Sequence, residues 1–267
     1  MKLNPLAIAL CGALSLALGP APDGSLGLLT AAQAQEKVSP EVGKALNAVT
    51  ALLKAGKAKE ALAKIRDVEA IGGRSAGETA LQQVTARLAA NARLEWLPLE
   101  TLAYSGCEGE NRMRFELAPG AEMLGWDVLA LGLPAADQPF VRGRYRQHIE
   151  IPGRWLERGT LAADDAVLLD SPLGLAGQRV LGTLWFAASE PLDAARREAL
   201  LEAARTACAD HELARLAGAT APNDAVVLLR ALAPRVEPLM GLFKAVRNAW
   251  RREAWSCEPV LPRIWTT

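Results

Sequence analysis

The chain has 267 residues, of which 51% are hydrophobic and 22% charged, and its 30 Lys and Arg side chains balance 30 Asp and Glu side chains. This length can bury one large core or two small ones, and zero net charge provides no field that would attract nucleic acid or an anionic membrane. With two His, four separated Cys and no GxSxG, P-loop, GxGxxG or HExxH motif, the chain lacks the usual groups of hydrolases, nucleotide-binding proteins and zinc enzymes. This composition favours a protein that is not an enzyme.

The first 34 residues resemble a secretory signal. Lys2 precedes an apolar run from Leu6 to Leu18, which is too short to span a bilayer, and residues 32–34 form a small-x-small cleavage site. An unprocessed apolar tail is the alternative. If the leader is removed, the mature chain begins at Gln35.

Residues 35–73 are typical of a helical hairpin. A Ser-Pro-Glu start at residues 39–41 precedes apolar residues at helical spacing, Gly56 closes the first helix, and residues 58–70 form the second. The pair resembles one tetratricopeptide repeat, which cannot bury its apolar face without neighbouring repeats. We expect a detached scaffold piece; a peptide-binding repeat is the alternative.

The pattern changes from helical to strand-like near residue 80, and the fold is expected to begin near residue 78. Alternating or apolar runs separated by Gly and Pro turns predict strands in residues 81–89, 93–104, 111–117, 121–134, 140–162 (a hairpin turning at Gly153), 177–189 and 225–232. Amphipathic patterns predict helices over 192–208 and 235–252, followed by an extended tail. The predicted fold class is mainly β with two packed C-terminal helices, preceded by an unrelated α-helical N-terminal segment.

Five blocks of this second region resemble the urease accessory protein UreD (UreH) family in order and spacing. They are Leu94–Thr101, Glu116–Gly132, Trp155–Leu161, Leu168–Gly177 and Leu261–Thr267. The resemblance covers residues 74–267 and implies a long β-sheet fold with helices on one side. The predicted domains are therefore a signal-like leader (1–34), a tetratricopeptide-like hairpin (35–73) and a UreD-like domain (74–267).

The first part of the chain departs from the family pattern. The family's His-Pro-Pro-Gly-Gly and Thr-Pro-Gly-Ala-x-Lys segments do not occur, and the leader and hairpin take their place up to a join near residues 71–74. A gene fusion, an assembly error or a chimera would all produce this pattern. We expect the hybrid to support urease activation poorly or not at all, because strands that pair with residues 81–84 and 94–99 would be lost.

The resemblance implies a cytoplasmic scaffold that binds apo-urease, UreF and the GTPase UreG and helps to insert nickel, with no nucleic-acid or membrane partner. It also implies a polar tunnel for nickel in transit and no tightly bound cofactor. An ion in transit requires oxygen ligands that release it, whereas a closed His/Cys cage would retain it. The alternative is an exported, periplasmic helical-repeat adaptor that carries a non-functional UreD-like fragment.

Three acidic residues in predicted strands with apolar neighbours are the candidate tunnel-lining metal ligands: Asp127, Glu157 and Glu95. An isolated buried charge is costly, so such an acid must be paired, hydrated or functional. A strand-face ion pair with Arg154 or Arg158 is the alternative for Glu157, and an exposed strand face is the alternative for Glu95. We expect Asp127 and Glu157 to project towards the same polar interior.

The remaining candidates concern surfaces. Trp265 and Arg263, near the C-terminus, are candidate partner contacts, because Trp and Arg are enriched at the centres of protein interfaces. His148 is interpreted as a surface-strand residue, with a ligand role as the alternative. The basic run at residues 142–146 is interpreted as a solvated strand face, with partner docking as the alternative.

Overall fold

A computed structural model describes residues 80–265, without the side chain of Ile264. The predicted leader (1–34) and helical hairpin (35–73) lie outside these described residues. The described part is mainly β with two long helices near the C-terminus, which confirms the fold class predicted for this part of the chain. No helix in residues 80–265 has the length and apolar character needed to cross a membrane.

Eleven strands and three α-helices form the described part of the chain. The strands are β1 (Ala80–Leu88), β2 (Arg93–Trp96), β3 (Thr101–Ala103), β4 (Cys107–Leu117), β5 (Glu122–Leu133), β6 (Gln138–Pro139), β7 (Gly143–Ile151), β8 (Trp155–Ala162), β9 (Val180–Ala188), β10 (Ala217–Thr220) and β11 (Val226–Ala233). The helices are α1 (Ala166–Asp170), α2 (Ala194–Ala209) and α3 (Val236–Trp255).

The strands form two sheets that pack face to face. The first sheet has the order β1-β4-β7-β8, and the second has the order β10-β11-β9-β5-β2, with β3 and β6 also pairing with β5. Successive side chains on a strand point to opposite faces, so Met123 and Trp185 face the first sheet while Leu124 and Phe186 face away from it. The space between the sheets is one part of the core.

The two long helices cover the opposite face of the second sheet. Helix α3 buries Leu239, Phe243 and Trp250 against this face, and each such side chain contributes about 1.5–3 kcal/mol when removed from water. Gly182 permits the close approach, because a Cβ atom there would lie 2.8 Å from the Phe243 ring. The described chain therefore has three layers, with two sheets and one layer of helices.

Two neighbouring strands cross from the first sheet to the second at the same corner. Strand β1 leads into β2, and β4 leads into β5. Before the turns β1 pairs with β4 in parallel, and after them β2 pairs with β5 in parallel. Asn91, in the left-handed conformation, donates its backbone N–H to Pro119 O at 3.0 Å. A Cβ atom at Gly120 would lie 2.2 Å from the Asn91 side chain, so glycine is needed at this double crossover.

Some element bounds differ from the sequence prediction. Residues 93–104 were predicted as one strand but form β2 and β3, separated around Pro98, which has no N–H to donate to a sheet. Strand β10 and helix α1 were not predicted, because each is short and lacks a clear apolar period. The predicted hairpin at Gly153 is confirmed: β7 and β8 are antiparallel, and Gly153 has φ 72°.

Candidate functional site

A belt of polar side chains crosses the otherwise apolar space between the two sheets. We call it the polar belt; its members are Asn111, Asp127, Gln147, Glu157, Thr183 and Arg230. Side chains of both sheets contribute to it, and hydrogen bonds join them across the gap. The polar belt is therefore an internal feature of the sandwich rather than a surface patch.

The register of the paired strands places the members of the polar belt in rows across each sheet. In the second sheet Asp127 lies opposite Thr183, and Thr183 lies opposite Arg230, which forms one row across β5, β9 and β11. In the first sheet Asn111 lies opposite Gln147 on β4 and β7. The two rows face each other, because all five residues stand at inward positions of their strands.

Apolar clusters enclose the polar belt along the strand direction. On one side, Met113, Phe115 and Trp185 belong to a fully buried cluster between the sheets. On the other side, Leu131 and Tyr145 belong to a second buried cluster. The belt thus forms a narrow polar band across an apolar core.

Asp127 is the most deeply placed acid of the belt. Its side chain is only 4% exposed, and it accepts hydrogen bonds from Asn111 Nδ2 at 2.9 Å and Gln147 Nε2 at 2.6 Å. Burial raises its pKa to about 7, the charge of Glu157 adds to this rise, and the Asn111 hydrogen bond opposes it. Near neutral pH both the protonated and the charged form of this carboxyl group are therefore populated.

Glu157 stands where the polar belt approaches solvent. Its carboxylate accepts from Thr183 Oγ1 at 3.0 Å and from Arg230 Nη2 at 2.5 Å. The Arg230 side chain is 54% exposed, whereas that of Glu157 is 22% exposed. The Arg230–Glu157 pair thus links β11 to β8 at the side of the sandwich opposite the double crossover.

Two glycines leave the polar belt open at this side. Gly159 on β8 and Gly218 on β10 occupy inward strand positions, next to Glu157 and opposite Arg230 respectively. A Cβ atom built at either would meet no atom within 4 Å. These two positions therefore leave open space beside the Arg230–Glu157 pair.

The belt offers oxygen atoms as ligands. Among the described residues Asn111 Oδ1 is buried without a hydrogen-bond partner, and it belongs to the amide whose nitrogen donates to Asp127. Residues 80–265 contain no group of three His, Cys, Asp or Glu side chains that could hold a metal ion.

The structure places the three predicted acids in two different environments. Asp127 and Glu157 project into the same polar interior, as predicted from the sequence. Glu95 lies on the opposite face of the second sheet, where Arg247 Nε donates to it at 2.8 Å and Arg251 also forms an ion pair with it. Glu95 therefore is neither part of the polar belt nor on an exposed strand face; it fastens α3 to β2.

The two predicted partner-binding residues lie in a short 3-10 turn, Arg263–Trp265. The Trp265 ring stacks on Trp126 with centroids 5.1 Å apart, and the Lys244 ammonium lies 5.1 Å from its centroid. Trp265 thus holds the C-terminal tail against the helical face, and its contact with a partner remains a prediction, as does that of Arg263. His148 lies on the outer face of the first sheet, 3.7 Å from Glu150.

Sequence reasoning missed four members of the polar belt: Asn111, Gln147, Thr183 and Arg230. Each is a polar residue at an alternating position within an apolar strand, which is a weak signal by itself. Only the pairing of strands that are far apart in sequence brings the four together with the two acids.

A family model described as UreD urease accessory protein matches residues 73–266 of the chain. Two curated relatives are both named urease accessory protein UreD. The protein of Leptothrix cholodnii is 60% identical over 194 residues, and that of Variovorax paradoxus is 58% identical over 194 residues. Each alignment covers 73% of this chain and 70% of the relative.

Proposed function

Because the chain belongs to the UreD family of urease accessory proteins, we propose that it is a non-catalytic scaffold for the maturation of urease. In this role it binds apo-urease, UreF and the GTPase UreG in the cytoplasm and assists the transfer of nickel into the apoenzyme. The family match and the names of the relatives support the accessory role. The partners and the metal are the finer part of the proposal.

The polar belt is the observation that carries the nickel part of the proposal. Burying Asp127 costs free energy because no cationic partner for it occurs among residues 80–265, and the two amide donors and the raised pKa recover only part of this cost. A sandwich that required only stability would place an apolar side chain there. We interpret the acid as kept for contact with a cation that passes through.

The pKa of Asp127 fits a reversible contact. At neutral pH the carboxyl group is partly protonated, so an arriving divalent cation displaces a proton, and a returning proton helps to release the cation. Glu157 is the next acid towards solvent, and its pairing with Arg230 offsets its charge while no cation is present. The open inward positions at Gly159 and Gly218 provide space for a hydrated ion.

The scaffold role is tested by expressing the tagged chain in a urease-positive strain that lacks its own UreD. We expect UreF and urease subunits to co-purify with it, and urease activity to exceed that of the strain without the chain. Because the family's first segments are replaced, we expect this activity to remain well below that of a full-length relative. Absence of both UreF and urease subunits from the purified material would refute the scaffold role.

The nickel route is tested with variants that should leave co-purification unchanged. Gly159→Val fills an open inward position of β8, and Asp127→Asn removes the inner carboxylate. Thr85→Val, which places the same side chain at an exposed position of β1, is the matched control. We expect the first two to abolish the gain in urease activity. Activity equal to that of the control would refute the route while leaving the scaffold role intact.

The leader-like sequence supports the second candidate, an exported adaptor that carries a non-functional UreD-like fragment. Intact mass spectrometry distinguishes a chain starting at Met1 from one starting at Gln35, and cell fractionation shows its compartment. A mature chain starting at Gln35 in the periplasm would contradict the cytoplasmic scaffold, because UreG requires cytosolic GTP.

A further inference from the structure

A cleft of about 340 Å³ opens on the outer face of the first sheet, across β4, β7 and β8. We call it the arginine cleft; its charged and polar side chains are Glu110, Arg112, Arg146, His148, Arg158 and Thr160. This face points away from the polar belt. The proposed nickel route gives it no role, so its chemistry requires a separate explanation.

The arginine cleft contains more cations than its own acids can pair. Arg112 forms an ion pair with Glu110, with 2.5 Å between Nη2 and Oε1. Arg146 and Arg158 are both exposed, and no ion pair joins either of them to an acid in residues 80–265. In the β7–β8 register, Arg146 lies opposite Thr160 and Arg158 lies opposite His148. The two guanidinium groups therefore stand diagonally on adjacent strands, where they repel each other until an anion binds.

The same strand carries an open backbone edge. Strand β8 is last in the order β1-β4-β7-β8, and among the described strands it pairs only with β7. Its outward side chains next to the cleft are Leu156, Arg158 and Thr160, and Leu156 is 53% exposed. Charged side chains on an edge strand discourage pairing with a copy of the same strand. Since the charge here is positive, the edge still favours a strand of opposite charge.

We propose that the arginine cleft and the open edge of β8 form a docking surface for an acidic, extended segment of a partner protein. Carboxylates of the segment accept hydrogen bonds from Arg146 and Arg158, and the Thr160 hydroxyl donates a further one. The backbone of the segment pairs with β8, as in other complexes formed by strand addition. Leu156 contacts an apolar side chain of the segment.

Charge and shape favour a protein segment over a free phosphate or a nucleic acid. The lining cations stand on exposed strand positions, so water competes strongly for any single small anion. A segment with several carboxylates and backbone hydrogen bonds adds these weak contacts within one molecule. The docking surface does not depend on nickel transfer and extends beyond the proposed function.

Fluorescence anisotropy on the full chain tests the docking surface. The probe is a labelled peptide of about ten residues in which Glu and Val alternate, and the competitors are a Lys–Val peptide, inorganic phosphate and a short single-stranded DNA. We expect the double variant Arg146→Glu, Arg158→Glu to weaken binding of the Glu–Val peptide by at least about tenfold, because like charges then face each other. The control Arg215→Glu, Arg235→Glu makes the same charge change at exposed sites elsewhere.

Binding that is lost equally in both double variants, or lost in neither, would overturn the proposal. Displacement of the peptide by millimolar phosphate or by DNA at equal concentration would overturn the choice of a protein partner. Hydrogen exchange supplies an independent readout of strand addition: the Glu–Val peptide should protect backbone amides of β8 and leave those of β10 unchanged. An unprotected β8 would refute the role of the open edge.

Discussion

Replacing Asp127 by Asn should change how the stability of the chain depends on pH. The folded-state pKa of Asp127 is about 7, compared with 3.8 for the unperturbed group, and burial is the main cause of this rise. The native state therefore binds more protons than the unfolded state between these two values. The contribution of Asp127 to the free energy of unfolding falls as pH rises through this window, and the loss is complete above about pH 7.

The size of the effect follows from the shift. Over each pH unit between the two pKa values, the free energy of unfolding falls by about 1.4 kcal/mol. Between about pH 4.5 and about pH 8 the wild-type chain should therefore lose on the order of 3 kcal/mol of stability relative to Asp127→Asn. The variant can keep both hydrogen bonds, because Asn111 can turn its unpartnered Oδ1 towards the new amide. Some constant difference between the two proteins will remain, but it does not depend on pH.

Urea unfolding followed by tryptophan fluorescence, repeated across this pH range, measures the effect. Asp164→Asn makes the same chemical change at an exposed position and serves as the control. If the stability difference between wild type and Asp127→Asn stayed constant with pH, the carboxyl group would not titrate in the window described. Titration of Asp127 in the polar belt near neutral pH would then be refuted.

Two further predictions concern the other acids. Glu157→Gln removes the negative charge of Glu157, which contributes to the raised pKa of Asp127, so the pH window of stability loss should shift downwards. An NMR titration of the Asp127 carboxyl carbon measures the pKa directly. An unchanged midpoint would exclude an electrostatic effect of Glu157 on Asp127. Glu95→Ala should destabilise the fold by about 3 kcal/mol, because it leaves the 2% exposed Arg247 without its carboxylate. Glu258→Ala, which breaks an exposed pair, should cost less than about 1 kcal/mol in the same denaturation assay; equal losses would contradict the distinction.

Local patterns predicted the elements but not their partners. Period-two alternation and the turn at Gly153 identified the β7–β8 hairpin, and the apolar run of β9 indicated a central strand. The sequence did not reveal that β4 and β5, separated by one short turn, belong to different sheets. That assignment depends on which apolar faces meet in three dimensions, and this information is spread over the whole chain.

Asp127 and Glu95 differ in environment for the same reason. Both are acids between apolar neighbours in strands of the second sheet, and their local patterns are equivalent. Asp127 faces the first sheet, whereas Glu95 pairs in register with the helix-facing Leu124 and meets arginines of α3. The arginine partners lie about 150 positions along the chain, so no local pattern could have distinguished the two acids.

The double crossover makes the two lateral sides of the sandwich mechanically unequal. At one side the sheets are joined covalently by two adjacent turns, which Asn91 and Gly120 lock together. At the other side, polar contacts such as the Arg230–Glu157 pair hold β11 to β8. Thermal fluctuations should therefore change the spacing between the sheets more at the side of β8 and β11 than at the double crossover. The polar belt reaches solvent at the side of β8 and β11, so we expect its access to water to follow this spacing.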